Sequence, residues 1–321
     1  MKRQLFWACV IPLFLAVALD VWWFAANPSP RIVPGDAKLP EKEIVFTPVN
    51  EEAMPTQWIG FIHRDGIGFE TRAYQVPTGL FLEGFPVKRY SQFMGRIFTW
   101  SLDGTALGGI FPTGPTNGQG YPVLVHADGS ISYCDPSRSI IARDKVLGIS
   151  ESKIVAIEEL ANSEKNEFVE FDMSTCQVSQ TIYSPLGNEM LMDFSYTRDG
   201  ILALELGTTL YWQNDPQNTD FVGIRIFGPE MNVVNEISNA SHPSLSPDGK
   251  KIAFVAAGEV CTSDLGTIAP HCNGETSGMI TWSPDGEWLS YSDPQAHIVV
   301  QNVETGAKVS IASGIYPSWR P

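Results

Sequence analysis

Short apolar stretches alternate with polar residues along the chain, and the stretches are joined in pairs by turns of one type. Residues 242–255 (HPSLSPDGKKIAFV) and 278–292 (GMITWSPDGEWLSYS) each contain a short apolar run, a Ser-Pro-Asp-Gly turn and an alternating run. Proline presets φ, aspartate can accept hydrogen bonds from the backbone ahead, and glycine takes the positive φ that other residues resist. The pattern therefore predicts a β-hairpin at both places.

Degenerate copies of this hairpin extend the pattern through most of the chain. They lie at residues 97–110, 146–159 and 193–206, and the C-terminal IYPSWRP (315–321) repeats the first strand alone. Each copy is followed by two further strand-like runs, and four strands in about 40 residues is the period of a β-propeller blade. We predict an all-β, six-bladed β-propeller, with a seventh blade around residues 57–90 as the alternative.

The two ends of the predicted propeller complement each other. The last copy supplies only an inner strand, whereas EIVFTP (43–48) resembles a second strand and is followed by strand-like runs at 57–69 and 70–84. We expect these runs to build one composite closing blade with the C-terminal strand, which would remove the exposed edges of an open array. The propeller would then span residues 43–321.

The first 26 residues form a separate targeting segment. Lys2 and Arg3 precede an apolar stretch over residues 5–26, which is interrupted at Asp20 and is long enough to span a bilayer. We predict a single-pass signal anchor in a bacterial inner membrane, with the propeller in the periplasm. A cleaved signal peptide over residues 1–26 is the alternative, and it would release the propeller into the periplasm. Residues 27–42, which carry four prolines, predict an extended linker.

Composition excludes two classes of protein. Hydrophobic residues make up 43% of the chain, too many for an intrinsically disordered protein. Acidic residues number 36 against 21 basic ones, a net charge of −15, which argues against a nucleic-acid binder because such proteins need a basic surface. The negative charge favours basic or polar partners.

Four cysteines lie in the predicted exported part of the chain, an even number that suits an oxidising compartment. Cys261 and Cys272 are 11 residues apart within one predicted blade, which indicates a hairpin disulfide. Cys134 and Cys176 would pair by default, although the repeat alignment puts them at non-equivalent positions of neighbouring blades.

The Ser-Pro-Asp-Gly repeats quoted above resemble the TolB-like, WD-like repeats of exported bacterial proteins and of propeller domains in prolyl-oligopeptidase relatives. The resemblance is strongest over residues 240–321. It implies a non-catalytic propeller of the cell envelope that binds or scaffolds another envelope or membrane protein.

Candidate catalytic and metal-binding residues are few. No G-x-S-x-G nucleophile motif occurs in the sequence. The alternative function is a propeller hydrolase or lyase that acts on a small or carbohydrate substrate with a metal in the central channel. The six predicted inner strands contain only one carboxylate, Asp193, and one histidine, His242. Calcium requires six to eight oxygen ligands, which these strands do not supply, so we predict no metal. We also predict no cofactor and no catalytic residue.

Two sets of recurring residues have structural interpretations. Four aspartates at the third position of the turns are interpreted as caps of their own turns: Asp103, Asp199, Asp248 and Asp285. Three tryptophans recur one per blade and are interpreted as core wedges between sheets: Trp100, Trp282 and Trp319.

Three consecutive predicted blades carry extra polar residues between their second and third strands, in residues 111–122, 159–168 and 212–221. Such connections emerge on one face of a propeller, and loops on a rigid scaffold often carry binding residues. We predict a binding loop face there, with insertions that have no role as the alternative. Its candidate residues are Thr113, Asn117, Gln119, Asn162, Lys165, Asn166, Asn214, Asp215 and Gln217.

Overall fold

The computed structural model describes most of the chain from Trp58 to Arg320. The described ranges are 58–64, 69–75, 80–81, 99–112, 119–126, 131–134, 140–159, 166–208, 222–276 and 278–320. In this part of the chain, no helix is long and apolar enough to cross a membrane. The predicted anchor (5–26), the linker (27–42) and the strand expected at 43–48 lie outside the described residues.

The described residues form strands throughout, and all neighbouring strands are antiparallel. The first eleven are β1 (Trp58–Arg64), β2 (Phe69–Gln75), β3 (Leu80–Phe81), β4 (Thr99–Trp100), β5 (Ala106–Pro112), β6 (Gln119–His126), β7 (Ile131–Tyr133), β8 (Ala142–Gly148), β9 (Lys153–Glu159), β10 (Asn166–Asp172) and β11 (Gln177–Tyr183). The next eight are β12 (Glu189–Tyr196), β13 (Leu202–Thr208), β14 (Gly223–Phe227), β15 (Val233–Ser238), β16 (Ala240–Leu245), β17 (Lys251–Ala256), β18 (Glu259–Asp264) and β19 (Thr267–Glu275). The last five are β20 (Ile280–Trp282), β21 (Trp288–Ser292), β22 (His297–Asn302), β23 (Lys308–Ser313) and β24 (Ile315–Trp319).

These strands form five sheets, which together make a β-propeller. The closing sheet has the order β24-β1-β2-β3, and the eight-stranded sheet contains β4 to β11. The third sheet (β12–β15), the fourth sheet (β16–β19) and the fifth sheet (β20–β23) each follow chain order. The prediction of an all-β propeller is therefore confirmed.

The predicted numbers of blades, six or seven, are wrong because two sets of strands combine. Gln119 and Gly120 of β6 pair with Arg143 and Ala142 of β8, which merges two expected blades into the eight-stranded sheet. The runs expected to make a seventh blade form β1, β2 and β3, which belong to the closing sheet together with β24. In that sheet Ile59 pairs with Trp319, so the last strand lies beside the first one described.

The core lies between neighbouring sheets, because apolar side chains of one sheet pack against those of the next. Trp319 packs with Ile59 of its own sheet against Trp288 and Ile298 of the fifth sheet. Trp282 packs in the same way with Ala253 and Val260 of the fourth sheet. Trp100, Trp282 and Trp319 are each at least nine-tenths buried.

Both expected disulfides are confirmed. Cys261 and Cys272 are cross-strand partners in β18 and β19, with their Cα atoms 4.0 Å apart. Cys134, directly after β7, is bonded to Cys176 in the turn between β10 and β11, with a Cα separation of 5.7 Å. The second bridge can join non-equivalent positions of neighbouring repeats because β4 to β11 form one sheet.

Candidate functional site

The turns between first and second strands are built by the residues that the sequence repeats. Asp248 Oδ1 accepts hydrogen bonds from Ser246 Oγ at 2.8 Å and from the Lys250 backbone N–H at 3.1 Å. Asp103 is held in the same way by Ser101 Oγ at 2.6 Å, and Asp285 by Ser283 Oγ. Each of these three carboxylates accepts hydrogen bonds within its own turn. Asp199, in the corresponding position, lines a cavity.

That cavity has a volume of about 400 Å³ and occupies the turn end of the central channel. Six strands surround it, because the eight-stranded sheet contributes both β4 and β8 beside β12, β16, β20 and β24. Much of its wall is apolar and aromatic. The aromatic lining residues are Trp100, Phe194, Tyr196, Trp282 and Trp319.

Several polar groups in the cavity wall hold neighbouring sheets together. Ser318 Oγ accepts a hydrogen bond from the Trp100 backbone N–H at 3.1 Å. Ser195 Oγ accepts one from the Leu245 backbone N–H at 2.9 Å. Trp282 Nε1 donates to the Ser244 carbonyl at 2.8 Å. These groups therefore hold neighbouring sheets of the ring together.

The mouth of the cavity carries charged side chains of both signs. Asp103, Asp199 and Asp248 are exposed on the turns that surround it. Two arginines at this end are engaged by the backbone of the turn after β4. Arg198 donates to the Leu102 carbonyl at 2.9 Å, and Arg320 donates to the Gly104 carbonyl at 3.0 Å.

A cluster of ionisable side chains lies in the channel wall beside the cavity. Lys145 of β8 forms an ion pair with Asp193 of β12, with Nζ 2.7 Å from Oδ1. His242 of β16 places its Nδ1 3.4 Å from the other oxygen of Asp193. The backbone N–H of His242 donates to Glu205 Oε2 of β13 at 2.8 Å. Lys145 and Asp193 are both buried.

The cluster separates the pKa values of its two carboxyl groups. Burial would raise the pKa of Asp193, but Lys145 and His242 overcome this effect and lower it to about 2. Burial and the negative charge of Asp193 raise the pKa of Glu205. Burial opposes protonation of His242, yet the carboxylates of Asp193 and Glu205 raise its pKa above the ordinary value. Asp193 is therefore the permanent anion of the cluster.

Three β-bulges accompany these side chains. The register shifts between Arg143 and Val146, between Leu191 and Asp193, and between Ser241 and Ser244. Bulges redirect side chains relative to a regular strand. His242 has a φ of 50°, and Tyr316, which also precedes a Pro-Ser pair, has a φ of 55°. The bulge at His242 is thus a feature of the repeat, and only this copy places a histidine there.

The predicted binding loop face is only partly described. Thr113, Asn117, Asn162, Lys165, Asn214, Asp215 and Gln217 lie outside the described residues, and Gln119 is the first residue of β6. Asn166 requires a correction. It belongs to β10, is 2% exposed, and exchanges hydrogen bonds of 2.7 and 2.9 Å with the Leu191 backbone of the third sheet. Its amide joins two sheets and does not belong to a binding loop.

Glu205 was not among the candidate ligands on the predicted inner strands, because it lies on β13, the second strand of its sheet. Its signal is a single acidic residue in the apolar run Leu202–Leu206. Together with Asp193 and His242 it forms a set of three potential ligand atoms that lie within 4.8 Å of one another.

The sheets, the channel and the cavity define a β-propeller, and comparison with solved structures agrees. A protein of Agrobacterium tumefaciens described as TolB aligns with 84% of this chain and 99% of its own, at 12% identity and a TM-score of 0.52. A gluconolactonase of Xanthomonas campestris aligns with 68% of this chain and 76% of its own, at 14% identity and a TM-score of 0.47. Hydrazine synthase of Kuenenia stuttgartiensis aligns with 74% of this chain and 90% of its own, at 14% identity and a TM-score of 0.46. No protein-family model and no curated protein sequence matches the chain. At 12% identity the likeness to the Agrobacterium tumefaciens protein bears on the fold alone, and it agrees with a propeller.

Proposed function

We propose that this protein is a non-catalytic binding module of the bacterial cell envelope. Residues 5–26 hold it in the inner membrane, and the TolB-like, WD-like propeller faces the periplasm and captures another envelope protein. The observation that carries the proposal is the aromatic cavity of about 400 Å³ at the turn end of the channel. A concave, largely apolar site on a rigid scaffold is typical of a recognition site.

Binding accounts for the polar groups near the cavity better than catalysis does. Within the ionisable cluster only Lys145 lines the cavity, and its ammonium group is 2.7 Å from Asp193. Ser318 and Ser195 in the wall accept hydrogen bonds from the backbone of neighbouring sheets. These groups are committed to the ring, whereas a catalytic nucleophile or base must face the substrate.

The partner would present an apolar side chain flanked by lysine or arginine. An aliphatic or aromatic group suits the tryptophan-lined wall, and basic flanks suit the net charge of −15. Charge complementarity of this kind accelerates encounter, and burial of the apolar anchor supplies most of the affinity.

The test is crosslinking in intact membranes followed by mass spectrometry of captured proteins. Leu102→Glu puts a charge at the mouth of the cavity, and we expect it to reduce capture at least tenfold. Leu186→Glu is the matched control, because Leu186 is 73% exposed on the connection that enters β12, at the other end of the channel. Equal capture by both variants would contradict the proposed site. If capture is lost only when residues 113–120 and 214–219 are shortened, the partner binds the predicted loop face and not the cavity.

A hydrolase or lyase that acts on a small or carbohydrate substrate is the second candidate. Asp193, Glu205 and His242 favour it, because two carboxyl groups with separated pKa values beside an imidazole can exchange protons with a substrate. This candidate requires turnover of a small carbohydrate that is abolished by Glu205→Gln. If Glu205→Gln still captures the partner protein at the wild-type level, catalysis and protein binding are separate functions.

A further inference from the structure

We infer that Asp193, Glu205 and His242 form a site for a divalent transition-metal ion in the channel wall, where they bridge the third and fourth sheets. The proposed metal site lies beside the cavity. It does not depend on whether the propeller binds a protein or acts on a small substrate.

The spacing of the three side chains suits an ion better than direct contact. His242 Nδ1 lies 3.4 Å from Asp193 Oδ2, beyond the usual range of a good hydrogen bond. Ligands that are each about 2.0–2.2 Å from a tetrahedral zinc ion are separated from one another by roughly 3.3–3.6 Å. Glu205 completes the set, since one atom from each residue lies within 4.8 Å of the other two.

The surrounding contacts orient the carboxylates and leave one oxygen of each available. Asp193 Oδ1 accepts from Lys145 Nζ and from the Phe194 backbone N–H, each at 2.7 Å, while Oδ2 faces His242. Glu205 Oε2 accepts from the His242 backbone N–H at 2.8 Å. Metal sites commonly fix their ligands through such outer hydrogen bonds.

The charges of the cluster favour a cation. A cation that replaces the proton on His242 would meet two carboxylates and one ammonium group, from Lys145. Metal binding of this kind releases the proton of the ligand histidine.

The donor set selects the class of ion. One imidazole and two carboxylates suit Zn²⁺, and Mn²⁺ more weakly, whereas Ca²⁺ prefers six to eight oxygen ligands. The His242 side chain is 39% exposed, so solvent can reach the site and complete the coordination.

The experiment uses the full chain, freed of metal with a chelator and titrated with ZnCl₂, MnCl₂ and CaCl₂ in separate calorimetric and thermal-melting runs. We expect one Zn²⁺ per chain, weaker Mn²⁺ binding and no response to Ca²⁺. At a free Zn²⁺ concentration a hundredfold above Kd, Tm should rise by roughly 5 °C.

Two ligand variants and a control assign the site. His242→Gln and Glu205→Gln should each weaken Zn²⁺ binding at least tenfold, and Glu205→Gln is nearly isosteric, so it tests the site if His242→Gln fails to fold. His297→Gln is the control, since His297 Nδ1 also lies beside an aspartate, 3.1 Å from Asp293 Oδ2, but on the fifth sheet. Unchanged Zn²⁺ affinity in Glu205→Gln, or loss of binding in His297→Gln, would overturn the inference.

Discussion

Glu158 and Glu167 are directly opposed on neighbouring strands, β9 and β10. Burial, followed by the negative charge of Glu167, raises the pKa of Glu158. A carboxyl group whose pKa is raised by folding holds its proton more tightly in the folded state. The stability that it contributes is therefore present at low pH and is lost as the pH rises through the raised pKa.

Glu158→Gln should consequently stabilise the protein at neutral pH by a few tenths of a kcal/mol, because solvent screens part of the repulsion in this half-buried pair. The gain should disappear well below the ordinary carboxyl pKa of 4.5, where Glu158 is protonated in both the folded and the unfolded chain. Urea unfolding at the two pH values measures the difference. Glu236→Gln is the control with opposite sign, since Glu236 accepts a hydrogen bond from Arg225 Nε at 2.6 Å. A gain from Glu158→Gln that is the same at both pH values would contradict the argument.

Single residues also show where prediction from sequence ends. The turn aspartates could be assigned because their partners lie two residues away, as Ser246 and Lys250 do for Asp248. The ionisable cluster could not be assembled, because Lys145 and Asp193 are 48 residues apart and come together only when two sheets pack. The bulges that redirect them depend on register, for which the alternation of residue types gives no signal.

At the scale of the element, the hairpins follow from local chemistry, whereas the eight-stranded sheet does not. Aspartate and glycine, preceded by proline in the two C-terminal copies, specify most of the turns within four residues. The merger of β6 and β8 rests on only two residue pairs, formed by Gln119 and Gly120, and nothing distinguishes these residues in the sequence. A repeat period therefore predicts the strands well and predicts how they group into sheets less well.

The turn glycines offer a matched pair of substitutions. Gly249 and Gly286 have φ values of 65° and 74°, so alanine at either position costs about 1–2 kcal/mol of stability. At Gly249 the added Cβ would also lie 2.5 Å from Ile201 Cδ1, whereas no atom lies within 4 Å of it at Gly286. Gly249→Ala should therefore lower the free energy of unfolding more than Gly286→Ala does, as measured by urea denaturation. Equal losses would mean that Ile201 moves aside without cost.

At the scale of the whole molecule, the ring depends on its last strand. Deleting residues 315–321 removes β24, leaves one edge of β1 unpaired and uncovers Ile59 and Trp288. We expect that variant to lose cooperative thermal unfolding and to aggregate, as observed by circular dichroism and gel filtration.

Deleting only residues 320–321 is the control for this truncation. It keeps β24 and loses the packing of Arg320 on Trp100, where the guanidinium carbon lies 5.1 Å from the ring centroid. Its Tm should fall by a few degrees, since one cation–π contact and one hydrogen bond are lost. A cooperative, monomeric protein that lacks residues 315–321 would show that the ring does not need its closing strand.

The pairing of β24 with β1 also gives the ring a seam, where strands from opposite ends of the described chain complete one sheet. Ser318 and Trp319 of β24 form part of the cavity wall. Opening of the seam would therefore remove one side of the cavity and expose a free strand edge in the same event. The shape of the cavity is thus coupled to closure of the ring.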